Sequence, residues 1–212
     1  MAKRIGLKRT QALIENLKRE LNLQGTTLTG ADTSGQATAL AATHGAGAIS
    51  TEVAPKHYRY RTPDGTFINT IELDLTGLKS YSDEGDAIGL DGVAGAFITK
   101  YVASTFGILY KIEVSCIELP TADSNVLLDF DLLSVQEDTL AGNGAVDGGT
   151  NPKDLFVSDG NFSLGETKQQ LSPLQPHADG HAIYLVSGNT HSAASVFTAG
   201  KLVIKFYGHP TF

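Results

Sequence analysis

The sequence predicts a mainly β protein: an antiparallel β-sandwich of jelly-roll type with an N-terminal α-helical arm. Three observations lead there. From Thr51 onward apolar residues recur with a period of two, in short runs set off by turn residues. No strand–helix–strand rhythm appears, so a parallel sheet is not expected. The first 25 residues follow a helical period instead and carry the opposite charge to the rest.

In the arm, Leu13, Ile14, Leu17 and Leu21 fall on one face of a 3.6-residue helix. Thr10 can cap its start, Gly25 can end it, and Glu15 precedes Lys18 and Arg19 in the favourable helix-pair order. A helix of about 15 residues is marginal alone in water. Its stripe therefore needs a surface, and each large aliphatic side chain contributes about 1.5–3 kcal/mol when fully buried. Residues 1–22 hold six cations, Lys3, Arg4, Lys8 and Arg9 among them, against Glu15 and Glu20, a net +4. The remainder holds ten cations against twenty-one acids, a net −11, so the chain sums to −7. Such a body repels nucleic acid and anionic lipid, and only the arm could attract them.

Residues 26–50 are small and polar and read as an extended connector; residues 51–212 read as the sandwich. "HYRYRTPDGTFINTIELDLTGL" predicts two strands around a Pro63-Asp64-Gly65 turn. Ile71, Leu73 and Leu75 are expected inward, with Glu72 and Asp74 outward. "GILYKIEVSCIEL" places Tyr110, Ile112, Val114 and Cys116 inward. "NVLLDFDLLSV" sets Leu128, Phe130 and Leu132 against Asp129 and Asp131 on the wet side. "GAFITKYVAS", "HAIYLVSG" and "GKLVIKFYG" supply further strands, and "GNGAVDGGTNP" and "GETKQQLSPLQPHADG" read as loops.

Cys116 is the single cysteine, which excludes a disulfide framework and fits a reducing compartment. No apolar run reaches the length of a membrane span, and no secretory h-region is expected. Catalytic patterns are missing too. His177 and His181 lie four apart, but Pro176 and Gly180 break the helix that would align them on zinc, so they read as a solvent-facing loop. Asp83, Glu84, Asp86 and Asp91 lack calcium-loop spacing and read as a solvated acidic turn. Cys116, between Glu113 and Glu118, is in the wrong setting for a thiolate. Asp129 and Asp131 share one strand, whereas a glycosidase pair flanks its substrate from separate elements. Alternation splits "HYRYR", with His57, Arg59 and Arg61 on one face and Tyr58 and Tyr60 on the other, which does not suit base stacking. No enzymatic activity, cofactor or metal is expected.

"KRIGLKRTQALIENLKREL…GTTLTGA", "DAIGLDGVAGAFI", "VSCIELPTADSNVLLDFDL" and "AIYLVSG…TAGKLVIKFYGH" resemble segments of structural proteins of tailed bacteriophages, marine ones especially. The resemblance implies a non-enzymatic virion protein associated with the head, made in the bacterial host cytoplasm. By the same analogy the chain is short for a major capsid subunit, which favours a decoration or cement protein on the capsid exterior. Its expected partners are further copies of itself, as a homotrimer, and the major capsid protein or other head proteins. The stripe of Leu13, Ile14, Leu17 and Leu21 would hold the docking arm, and Lys3, Arg4, Lys8 and Arg9 would orient it on acidic surface. No membrane or nucleic-acid partner is expected. A glycan-binding module of the tail or fibres is the alternative, and an exposed cluster of Tyr58, Tyr60 and Tyr81 on one sheet face would favour it.

Overall fold

The computed structural model describes residues 55–81, 83–122, 128–172, 175–176, 178–188 and 194–210. The eight docking-arm positions, Lys3, Arg4, Lys8, Arg9, Leu13, Ile14, Leu17 and Leu21, lie outside the described residues, as do the connector and His177. The described residues are mainly β. Their strands are β1 (Lys56–Arg61), β2 (Phe67–Asp74), β3 (Lys79–Ser80), β4 (Thr99–Lys100), β5 (Ile108–Ala122), β6 (Phe130–Val135), β7 (Lys153–Phe156), β8 (Thr167–Leu171), β9 (Ala182–Ser187) and β10 (Ser195–His209). One short helix, α1 (Ala103–Phe106), sits between β4 and β5.

The strands form two antiparallel sheets. The larger runs β1-β2-β10-β5-β8, with β3 against the start of β10, and the smaller runs β4-β9-β6-β7. Three of the pairings are nested about the β6–β7 pair: β5 with β8, β4 with β9, and β2 with β10. Strands β2 to β6 are thus retraced by β7 to β10, while successive strands distribute between the two sheets.

Alternation explains the core between the sheets. Ile71 and Leu73 of β2, Ile112, Val114 and Cys116 of β5, and Leu202, Ile204 and Phe206 of β10 are buried in one cluster with Phe130, Leu132, Ile183 and Leu185 of the smaller sheet. Glu72 and Asp74 face away from that core, as their phase requires. The Pro63-Asp64-Gly65 turn joins β1 to β2 with Gly65 at φ 92°, a conformation that glycine adopts without strain.

The structure corrects several expectations. Tyr110 does not point inward. The β5–β10 register shifts between Tyr207 and Gly208, and the Tyr110 ring stacks on His209 at 4.4 Å, on the face away from Phe206. Asp129 and Asp131 are not on a wet face, because Asp129, just before β6, and every residue of β6 are buried. The outer side of the smaller sheet carries a second apolar cluster, with Leu133, Val135, Tyr184 and Val186 covered by Ala87, Phe97 and Val146 from flanking loops. Bridges such as Asp86 to Ala145 and Ala94 to Ala141 tie those loops into a third layer. The acidic turn is therefore only partly solvated, since Asp86 lies buried within that layer. "GETKQQLSPLQPHADG" is not all loop, because it contains β8. In "GAFITKYVAS" the strand lasts only through Thr99–Lys100 before α1 begins. Asp179 Oδ1 accepts the Ala103 N–H at 2.7 Å, satisfying one of the donors that a helix start leaves open. Among the described residues, no helix is long and apolar enough to cross a membrane.

Candidate interaction surface

The larger sheet has one face on the core and one face on solvent, and the solvent face is assembled from residues far apart in sequence. Cross-strand register places Tyr60, Ile68, Tyr207, Lys111 and Leu171 in one row across β1, β2, β10, β5 and β8. Tyr60 and Leu171, at the two edges, are each 60% exposed, and Tyr58 beside Tyr60 is 52% exposed. Ile108, paired with His209, adds another exposed aliphatic at the same end. The centre of the row is tied together. Lys111 Nζ lies 4.0 Å over the Tyr207 ring, the Tyr207 hydroxyl donates to Glu113 at 2.6 Å, and Tyr110 stands 6.2 Å from Tyr207. Burial, and then the Glu113 carboxylate, push the Tyr207 hydroxyl well above its ordinary range, so it remains a donor at any physiological pH.

Counting Lys111 of that row, the face is charged but balanced. Lys56 pairs with Glu72 at 3.7 Å, Lys111 with Glu113 at 2.9 Å, and Lys201 with Glu118 at 2.5 Å and Asp74 at 4.0 Å. Lys205 stands opposite Glu113. Four cations thus face four acids, and the negative excess of the described residues lies elsewhere. The more exposed pairs, Lys56–Glu72 and Lys201–Glu118, add little stability, about 0–1 kcal/mol each. Their consequence is a neutral surface on an acidic body.

The other face of β1 confirms the split read from "HYRYR". His57 stacks on Phe106 at 5.9 Å, and Arg59 and Arg61 lie over Phe67, so the cations are on the core side and Tyr58 and Tyr60 on the outer side. Burial is the main reason the His57 imidazole is held below its ordinary pKa. Tyr81 does not join the tyrosines, since it is 4% exposed and its hydroxyl reaches Asp91 at 3.3 Å.

Among the described residues, the remaining candidates do not converge on a reactive centre. Cys116 is buried, and burial, followed by the Glu166 carboxylate, raises its thiol pKa. His181 is buried and not solvent-facing as expected. Among the described residues, no group of three His, Cys, Asp or Glu side chains is placed to hold a metal. A groove of about 260 Å³ between the β7 and β8 edges is lined by Asp154, Leu155, Phe156, Val157, Gln170 and Ser172.

Asp131 is the most perturbed carboxyl among the described residues. Burial chiefly, with Asp129, Glu84 and Asp154 nearby, pushes it up to about 6, although it accepts the Ser158 N–H at 2.6 Å. A raised carboxyl pKa favours the fold while the unfolded chain is still protonated. That advantage is whole below about pH 4, declines as pH rises, and is gone above about 6. Asp131→Asn keeps an acceptor for Ser158 without the charge. It should raise stability by about 2–3 kcal/mol at pH 7 and leave it unchanged near pH 3.5, as checked by urea unfolding at both pH values.

Comparison of the chain with models of known protein families, with curated proteins and with solved structures found no match.

Proposed function

We propose that this chain is a non-enzymatic structural protein of a bacteriophage virion: a decoration or cement protein on the capsid exterior, folded as a jelly roll. The observation that carries this reading is the nested strand pairing. With β6–β7 innermost and β2–β10 outermost, the sheets run β2-β10-β5-β8 and β4-β9-β6-β7. That is the order expected when one long antiparallel ribbon is rolled into two packed sheets, an architecture that recurs in capsid and lectin domains. The resemblance to tailed-phage structural proteins favours the capsid over the lectin alternative.

The N-terminal helical arm supplies the link in this proposal. Its apolar stripe seats on a shell subunit or on another copy, and Lys3, Arg4, Lys8 and Arg9 meet acidic surface. The connector gives reach, since about 25 extended residues span up to about 80 Å. The partners are further copies, as a homotrimer, and the major capsid protein or other head proteins. The site of synthesis is the bacterial host cytoplasm. The contribution is mechanical, bridging subunits against the pressure of packaged DNA.

A second reading, a glycan-binding module of the tail or fibres, retains two of its three tyrosines. Tyr58 and Tyr60 are exposed on one face, and Tyr81 is not.

Density-gradient purification of particles from a producing culture tests the proposal: the chain should co-sediment with filled heads, and its presence only in the soluble fraction would refute it. Within the arm, packing should outweigh charge. Leu17→Asp sets a carboxylate in the buried stripe and should lower incorporation about hundredfold, whereas Lys8→Ala should lower it less than about fivefold. Equal losses, read by quantitative blotting of gradient fractions, would mean that the arm works through charge.

A further inference from the structure

We infer that the solvent face of the larger sheet is a docking surface for a second copy of this chain, with the same face contributed by both copies. This deepens the self-association part of the reading above and rests on it. Three observations support a homotypic occupant.

The first is charge. The described residues carry ten cations and eighteen acids, of which this face holds four and four. The other described residues hold six cations and fourteen acids, so the whole −8 of the described residues lies off the face. Two acidic bodies repel each other wherever their excess charge is brought together. The paired, neutral sheet face is where they can meet without that repulsion.

The second is apolar content at one end of the face. Tyr58, Tyr60, Leu171 and Ile108 are 52–60% exposed, around the half-buried Tyr207. Ring surfaces at the centre are already occupied, by Lys111 over Tyr207 and by His209 stacked on Tyr110. The centre therefore offers a closed packing surface and not open rings for a sugar to stack on.

The third is area. Five strands span about 24 Å, and the part of β10 that faces solvent runs about 25 Å, giving roughly 600 Å² per copy. A face-to-face pair buries about 1,200 Å², the lower edge of the range for stable interfaces. A shared face makes the contact isologous, so it closes at two. It would be a contact separate from a threefold one, joining trimers in pairs.

The test is sedimentation velocity on the full chain in solution. The wild type should form assemblies of even copy number at micromolar concentration. The double variant Tyr60→Glu, Leu171→Glu changes only exposed side chains at the two sheet edges and adds four carboxylates per pair. It should halve the assembly mass and raise the dissociation constant at least about hundredfold, with an unchanged circular dichroism spectrum. Leu164→Glu, an exposed apolar residue in the turn before β8, should leave the assembly intact. A wild type that is monomeric or only trimeric up to about 100 µM overturns the inference, as does an assembly mass that the double variant leaves unchanged. A monomer whose binding to a glycan array is lost in the double variant also overturns it, in favour of a sugar-binding face. Since the assay contains no particle, its failure leaves the virion reading standing, and absence from particles leaves a positive assembly result standing.

Discussion

A chain lacking residues 1–25 is expected to fold as the full chain does and to be missing from particles. The described core lies wholly within residues 55–210, which hold both sheets, the inter-sheet cluster and the outer loop layer. Thermal unfolding of the truncated chain should therefore be close to that of the full chain. Incorporation should fall from full occupancy to background, because the stripe of Leu13, Ile14, Leu17 and Leu21 and all six arm cations go together. Burial of four such side chains contributes several kcal/mol, enough to decide between occupancy and absence. Gradient-purified particles assayed by mass spectrometry supply the check. Normal incorporation of the truncated chain would end the docking-arm proposal, and loss of its folding would give the arm a structural role instead.

The second large effect concerns the backbone. Gly208→Ala is expected to destroy the fold, although alanine is the smallest substitution available. A Cβ at Gly208 would lie 1.8 Å from the Phe106 carbonyl oxygen, and one at Gly107 would lie 2.2 Å from the His209 carbonyl oxygen. The segment leaving α1 and the end of β10 thus touch backbone to backbone, and neither can withdraw. Phe106 is locked in the core against Phe206 at 5.4 Å, and β10 is paired on both sides. Gly107 is also at φ 69°, a conformation unfavourable to alanine. Relief requires moving β10, the central strand of the larger sheet, so the loss should exceed about 4 kcal/mol. The expected readout is insoluble expression, or an unfolding midpoint lowered by tens of degrees. A variant with wild-type stability would show that β10 and α1 do not approach this closely.

The period of two was legible because most strands have one face on a core and one on water. Ile71, Leu73, Ile112, Val114, Leu202 and Ile204 follow that rule directly. The sequence misleads where that condition fails. β6 and β9 are covered on both sides, so Asp129 and Asp131 look like wet-face carboxylates until the loop layer is placed over them. β8 is an edge strand whose residues Thr167, Lys168, Gln169 and Gln170 are all polar, and a polar edge carries no apolar rhythm to detect. Tyr110 sits at a register shift, which reverses the face that alternation assigns. The solvent face was the least legible feature. Its charge balance joins residues such as Lys201 and Glu118, 83 positions apart, and only the strand pairing brings them together.

The proposal that this is a head protein of a virion is tested most directly by copy number. Quantitative mass spectrometry of purified particles gives the ratio of this chain to the major capsid protein. A lattice or cement role predicts hundreds of copies per particle, in a fixed ratio to the shell subunit. A handful of copies would contradict that role and move the chain to the tail or fibres, and none would remove it from the virion altogether.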